Sequence, residues 1–164
     1  MICGQNGIGS AWPMPGIIRS FAPGIEAALK DLVASPWRPV RRLVPDEHDE
    51  IAHAIVDLAQ DSALVITTGG TGLAARDVTP EATLSVLERE APGISEAIRA
   101  DSIAKTPHGL LSRAAAGTIG QALVVNLAGS PGACRDGYAV IRPAIPHALK
   151  LLSDQTTATD HINT

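Results

Sequence analysis

Aromatic side chains are nearly missing from this chain: one Phe, one Tyr and two Trp among 164 residues. Stacking surfaces for single-stranded bases need more rings than that, and a net charge of −4 gives phosphate backbones nothing to follow, so a general nucleic-acid binder is excluded. Cysteine is scarce too. Cys3 and Cys134 stand in neither CxxC nor metal-ligand spacing, which leaves two free thiols in a reducing compartment as the expectation. No apolar run reaches the roughly 20 residues a membrane-spanning helix takes, and no basic segment followed by a long apolar stretch opens the chain. A soluble, cytoplasmic protein without a membrane partner is expected. What the chain has instead is Ala, Val, Leu and Ile, within a hydrophobic fraction of 45%, enough for the core of one domain without disulfides or metal.

Those residues are distributed in alternating periods. Ile25, Ala28, Leu29 and Leu32 after Pro23-Gly24 predict a helix ending before Pro36. Arg38 to Val44 alternates as a strand with Val40 and Leu43 inward. Asp46 is placed to cap a second helix whose buried face is Ile51, Ala54, Ile55 and Leu58. Ala63 to Thr67 is a short unbroken apolar run, as in a central strand buried on both faces. Thr79 and Pro80 suit the N-cap and first position of a helix carrying Leu84 and Leu87 and stopping near Pro92-Gly93. A further helix is expected over Ile94 to Ala104, an irregular or short extended piece over Leu110 to Gly117, and a second strong strand over Gln121 to Leu127. Ser130 and Pro131 then start a last helix through Leu152, bent or interrupted at Pro143 and Pro146. This alternation predicts an α/β fold of three layers, a mostly parallel sheet with helices on both faces. Residues 1–22 read as irregular, 23–152 as the domain and 153–164 as a polar tail.

The most informative stretch is Thr68 to Thr83. Gly69, Gly70 and Gly72 follow the central strand and leave backbone N–H groups open to an anion, with rigid elements on either side. No Gly-Lys-Ser/Thr follows, and the glycine spacing is not that of a dinucleotide fingerprint; a ligand-free tight connection is the competing reading. Gly129 to Gly132 leaves the other strong strand in the same way. In open parallel sheets ligands collect beyond the carboxyl ends of the strands, so the two turns are expected to wall one pocket.

Asp46 and Asp77 each follow a strand end or glycine loop and suit oxygen ligation of a divalent cation beside phosphates. Asp46 also suits a plain N-cap, and Asp77 a brace of its turn or a partner for Arg76. Arg76 and Arg113 suit phosphate contacts or ordinary ion pairs. His48 and His53 lie on different helix faces and are expected to face solvent. Gly129-Ser130-Pro131-Gly132 is no nucleophile elbow.

Thr68-Gly-Gly-Thr-Gly72 with Arg76-Asp-Val-Thr-Pro-Glu-Ala-Thr83 resembles the signature of the molybdopterin adenylyltransferase family, the MogA/MoaB type of molybdenum-cofactor biosynthesis proteins. Val44-Pro-Asp-Glu47, Leu111-Ser-Arg113 and Asn126-Leu-Ala-Gly-Ser-Pro131 resemble further family segments, the last with Ala128 where the family has proline. The resemblance covers about Pro23 to Leu152. It implies the molybdopterin-binding-like fold, Mg²⁺- and ATP-dependent adenylylation of molybdopterin with release of pyrophosphate, a homotrimer, and transfer of product to molybdenum insertion machinery. It implies catalytic and metal-handling roles for Asp46 and Asp77. Nucleotide and pterin binding would fall to Thr68, Gly69, Gly70, Thr71, Gly72, Arg76, Ser112, Arg113, Gly129 and Ser130. The family opens with an apolar strand ending in Ser-Asp, which Met1 to Phe21 lacks, so the first strand is expected to be atypical or missing. That departure keeps open a catalytically silent molybdopterin-binding carrier of the same fold.

Overall fold

The computed structural model describes residues 16–18 and 40–159. Its sheet has five strands, β1 (Gly16–Ile18), β2 (Leu64–Thr68), β3 (Arg89–Glu90), β4 (Ala116–Ile119) and β5 (Ala122–Leu127), in the order β1-β2-β5-β4-β3. The helices are α1 (His48–Gln60), α2 (Thr79–Leu84), α3 (Pro92–Lys105), α4 (Pro131–Ile141) and α5 (Ile145–Thr159), with a 3-10 turn at Pro107–Leu111.

β2 and β5 are buried along their whole length, as unbroken apolar runs at the centre of a covered sheet should be. Strand alternation then sorts the core into two halves. Leu64, Ile66, Leu123, Val125 and Leu127 face Ile98 of α3, Cys134, Tyr138 and Ile141 of α4 and Leu149 and Leu152 of α5. Val65 and Val124 face Ile51, Ala54, Ile55 and Leu58 of α1 and Ala82 of α2. The expected three layers are therefore present. β1, β2 and β5 run parallel, and β4 is reversed, pairing antiparallel with β5 on one side and with β3 on the other. The two-residue turn Gly120-Gln121 between β4 and β5 makes that half a hairpin, and Gly120 takes the positive φ of 53° that such turns favour.

Several boundaries differ from the sequence expectation. Gly16–Ile18, inside the segment read as irregular, forms a short strand against Leu64–Ile66; the partner strand, not local alternation, supplies its hydrogen bonds. Val40 and Arg41 make only an isolated bridge, with Leu43 at 66% exposure and Val44 in the core. The residue at the N-cap of α1 is Glu47, without a side-chain cap bond, and Asp46 precedes it. Val78, not Thr79, is at the N-cap of α2, which stops at Leu84. There Thr83 Oγ1 and Ser85 Oγ bond back to the carbonyls of Thr79 and Ala82, a competition that weakens helix continuation, and Glu88 N already donates to Thr118 O in the sheet. The interruption expected at Pro143 separates α4 from α5. α5 then continues to Thr159 through the segment read as a polar tail, because Ser153 to Thr159 holds neither Gly nor Pro to end it. The helix expected from Pro23 and the N-terminal cysteine lie outside the described residues.

Cys134 is a fully buried free thiol, and burial pushes its pKa up to about 12. In a Cys3→Ser protein at pH 8, a thiol reagent is therefore expected to find nothing until denaturant is added; complete reaction without denaturant would contradict this packing. The unfolded thiol ionises near its ordinary 9.0 while the folded one stays protonated. The unfolded chain thus binds fewer protons, and this group lowers stability as pH rises from about 9 towards 12.

Candidate functional site at the carboxyl rim of the sheet

β2 ends at Thr68, and the chain leaves through Gly69 and Gly70 at φ of 90° and 65°. A Cβ on Gly70 would sit 2.4 Å from Thr79 Oγ1, so any side chain there would displace Thr79 as well as strain the backbone. Gly70 O accepts from Thr79 N at 3.1 Å and closes the loop onto the start of α2. Inside the loop, Asp77 N donates to Ala74 O at 2.8 Å, and Asp77 Oδ2 accepts from Ala74 N at 3.0 Å. Asp77 therefore does brace its turn, but with one oxygen. Its Oδ1 takes no hydrogen bond among the described residues. Thr68 Oγ1 is buried with no partner among the described residues.

The second turn presses on the first. Gly69 N donates to Leu127 O at 3.1 Å, and a Cβ on Gly129 would lie 3.0 Å from Gly69 Cα. Ser130 is the N-cap of α4, as expected, its Oγ accepting from Ala133 N at 3.3 Å. Between the two turns, α3 and the 3-10 turn lies a cavity of about 480 Å³ whose lining includes Thr71, Gly72, Ser112, Ala128 and Ser130. The two glycine turns do wall one pocket.

Asp46, Arg76 and Asp77 do not line that cavity. Asp77 stands on the outer arm of the loop whose inner arm, Thr71–Gly72, does. Asp46 is half-buried just before α1; since α1 returns directly into β2, its first turn lies towards the carboxyl end of that strand. Arg76 is exposed. Arg113 binds protein rather than reaching outward: Nε donates to Gly72 O at 2.7 Å, Nη2 to Asp77 O and Nη1 to Glu81 Oε1. Its own N–H donates to Thr71 O at 3.0 Å.

Sequence reasoning missed Arg99. This α3 side chain lines the cavity, with Nε on Ser112 O at 2.9 Å and Nη2 on Ala114 O at 3.3 Å. Among the described residues it has no carboxylate partner, and none engages Nη1. The signal was there: Arg99 lies at helical spacing from buried Ser95 and half-buried Ser102, a cation on an inward face. Lys105, also in the lining, links Asp101 of α3 at 2.8 Å to Asp136 of α4 at 3.0 Å. Hydrogen bonds to those two carboxylates raise its pKa. Among the described residues no three His, Cys, Asp or Glu side chains cluster to hold a metal, and no helix is long and apolar enough to cross a membrane.

A covered α/β sheet whose two central strands empty into touching glycine turns beside a cavity places that cavity where open α/β sheets gather ligands. Residues 15–147 match the family profile described as a probable molybdopterin binding domain, and the chain belongs to this molybdenum-cofactor biosynthesis family. It is 36% identical over 130 residues to the molybdopterin adenylyltransferase of Helicobacter pylori, covering 78% of this chain and 74% of that one. It is 40% identical over 121 residues to the molybdenum cofactor synthesis protein cinnamon of Drosophila melanogaster, covering 72% of this chain but only 20% of that much longer protein. The crystal structure of the molybdopterin biosynthesis enzyme MoaB of Thermus thermophilus superposes with a TM-score of 0.75 at 38% identity, over 85% of this chain and 95% of that one.

Proposed function

We propose that this protein is an enzyme that adenylylates molybdopterin. A terminal phosphate oxygen of molybdopterin attacks the α-phosphorus of ATP, the bond to the pyrophosphate leaving group breaks, and adenylyl-molybdopterin forms. The observation that carries this reading is the shared loop: Thr71 and Gly72 line a cavity of about 480 Å³, and five residues further on, the same loop presents the Asp77 carboxylate, whose Oδ1 no described residue engages. One substrate held in the cavity would thus lie beside a second held at the carboxylate, which is what an in-line transfer needs. The cavity volume suits a pterin-sized ligand. Ser112, Gly129 and Ser130 would fix the pterin, and amides of Gly69 to Gly72 would receive phosphate oxygens.

The donor chemistry fits Mg²⁺. No described residue engages Asp77 Oδ1, and a carboxylate oxygen suits an ion that keeps its waters and takes its other ligands from substrate phosphates. Asp77 and Asp46 would hold it, and when bound it would neutralise charge on the transferred phosphate. A homotrimeric assembly, a cytoplasmic location and transfer of product to molybdenum insertion machinery complete the proposal.

Incubation with molybdopterin, ATP and Mg²⁺ should yield adenylyl-molybdopterin and pyrophosphate in equal amounts. Tight pterin binding without product would replace this reading with that of a carrier. Arg99 supplies a separate expectation, because its Nη1, which no described residue engages, would be the partner of the pterin phosphate. Arg99→Met should raise the KM for molybdopterin about tenfold or more, as loss of a charge-assisted hydrogen bond does. Binding of the dephosphorylated pterin should fall much less, by the part due to the Ser112 and Ala114 carbonyls that Arg99 also holds; an equal loss for both ligands would show that Arg99 does not contact the phosphate.

A further inference from the structure

We infer that Arg113 is the positioning residue of the adenylyl-transfer site: it locks the glycine loop against the β4 approach and so sets where Asp77 stands, rather than contacting a substrate phosphate. The inference rests on the proposed reaction for its kinetic consequence and on geometry alone for its structural one.

The loop from Gly69 to Val78 is held at its two ends by backbone bonds, Gly69 N to Leu127 O and Thr79 N to Gly70 O. Between them the bonds are local to the loop, from Asp77 N to Ala74 O, Val78 N to Arg76 O and Ala74 N to Asp77 Oδ2. Local bonds fix the shape of a turn but not its place on the protein. Arg113 supplies that second constraint. Its main-chain N–H takes Thr71 O, Nε takes Gly72 O at 2.7 Å, Nη2 takes Asp77 O, and Nη1 takes the Glu81 carboxylate on α2.

One planar guanidinium therefore joins the inner arm of the loop, its outer arm and the helix that follows. Only a fork of several donors in one plane can do this; an ammonium has the charge but not the span. Glu81 fixes the orientation of the fork, and a carboxylate on one Nη together with a carbonyl on the other leaves little of the cation facing a ligand. At 34% side-chain exposure Arg113 is partly shielded from water, which strengthens these bonds relative to a surface pair.

The base of the clamp is itself held. Arg99 binds the carbonyls of Ser112 and Ala114, the two neighbours of Arg113 in the chain. The segment that carries the clamp is thus anchored to α3 before it reaches the loop. Removal of the guanidinium should leave the sheet and the inner arm intact and free the outer arm of the loop.

The test combines kinetics with amide hydrogen exchange on Arg113→Ala, Arg113→Lys, Asp77→Ala and the double variant Arg113→Ala/Asp77→Ala. Arg113→Ala should lower kcat for adenylyl transfer on the order of a hundredfold, as a misplacement of about 1 Å does, with the KM for ATP and for molybdopterin nearly unchanged. Arg113→Lys should recover little of it. Because Arg113 acts through Asp77, the double variant should be no slower than Asp77→Ala. Exchange should rise in Leu73 to Val78, and stay as in the parent protein in β2, β5 and Gly69, because the inner arm keeps its main-chain bonds to Leu127 O and from Arg113 N. A rise in KM with kcat retained, or full additivity with Asp77→Ala, would overturn the positioning role in favour of a phosphate contact. If the parent protein makes no adenylyl-molybdopterin, the reaction is wrong but the exchange experiment still decides the clamp; an unchanged loop in Arg113→Ala overturns it.

Discussion

Asp77→Ala is expected to lower adenylyl transfer by about a hundred- to a thousandfold, the loss seen when one preorganised charge-stabilising group is removed from a transfer site, while molybdopterin still binds. The two effects separate because Asp77 stands outside the cavity formed by Thr71, Gly72, Ser112 and Ser130. Alanine, however, removes two things together. It takes away Oδ1, which no described residue engages, and it takes away the brace in which Oδ2 accepts from Ala74 N at 3.0 Å. Asp77→Asn divides them, since the amide oxygen can still accept from Ala74 N while the negative charge is gone. If the charge is what matters, through metal and phosphate, Asn should be nearly as slow as Ala and its residual rate should respond weakly to Mg²⁺. An Asn variant close to the parent rate would make Asp77 a loop brace and end its assignment as a metal ligand. Steady-state release of pyrophosphate across a Mg²⁺ series, with pterin binding measured separately, decides between them.

Asn126→Ala should cost about 3–4 kcal/mol of folding stability, more than any surface change on this protein. Asn126 is fully buried in β5 opposite Thr67 of β2. Its Nδ2 donates to Thr67 Oγ1 and to Thr83 Oγ1, both at 2.8 Å, and its Oδ1 accepts from Ala115 N at 3.1 Å. Alanine leaves Ala115 N with no acceptor in a dry interior, at about 1–3 kcal/mol, and adds the cavity of the lost amide. Against a total of about 5–15 kcal/mol this is severe, and a fall in Tm on the order of 10 °C should accompany it. Urea unfolding measures the loss; a change below about 1 kcal/mol would mean that the network is replaceable by water or by repacking. The site should suffer as well. Thr83 Oγ1 also donates to Thr79 O, so the Asn126 amide reaches the start of α2, against which the glycine loop closes.

The parts legible in the sequence were those set by a few neighbouring residues. The apolar run before Thr68 announced a central strand, Ser130-Pro131 announced the start of α4, and Ile51, Ala54, Ile55 and Leu58 announced the inward face of α1. The glycines after β2 announced a close backbone approach, which the 3.0 Å spacing between a Gly129 Cβ and Gly69 Cα makes concrete. Less legible were the short elements. Gly16–Ile18 and Arg89–Glu90 have too few residues to show a period, and each exists because a neighbouring strand offers free backbone groups. α2 read as a long helix from its apolar spacing, yet its own Thr and Ser hydroxyls and the pull of β4 ended it at Leu84.

By itself, then, the sequence determined the α/β alternation, the buried central strands, the glycine turns at their ends and the family, because backbone sterics and apolar periodicity act within about ten residues. Only the tertiary structure decided which side chains share the rim and what each one holds. Arg113 reads locally as a surface cation next to Ser112, but its partners Gly72, Asp77 and Glu81 are 41, 36 and 32 positions away. Arg99 reads as one polar residue of an amphipathic helix until α3 packs beside the cavity. Asn126 joins residues 59 and 43 positions distant. Such contacts have no local pattern, since a hydrogen bond is specified by direction and distance in space, and chain separation enters only through the fold that brings the ends together.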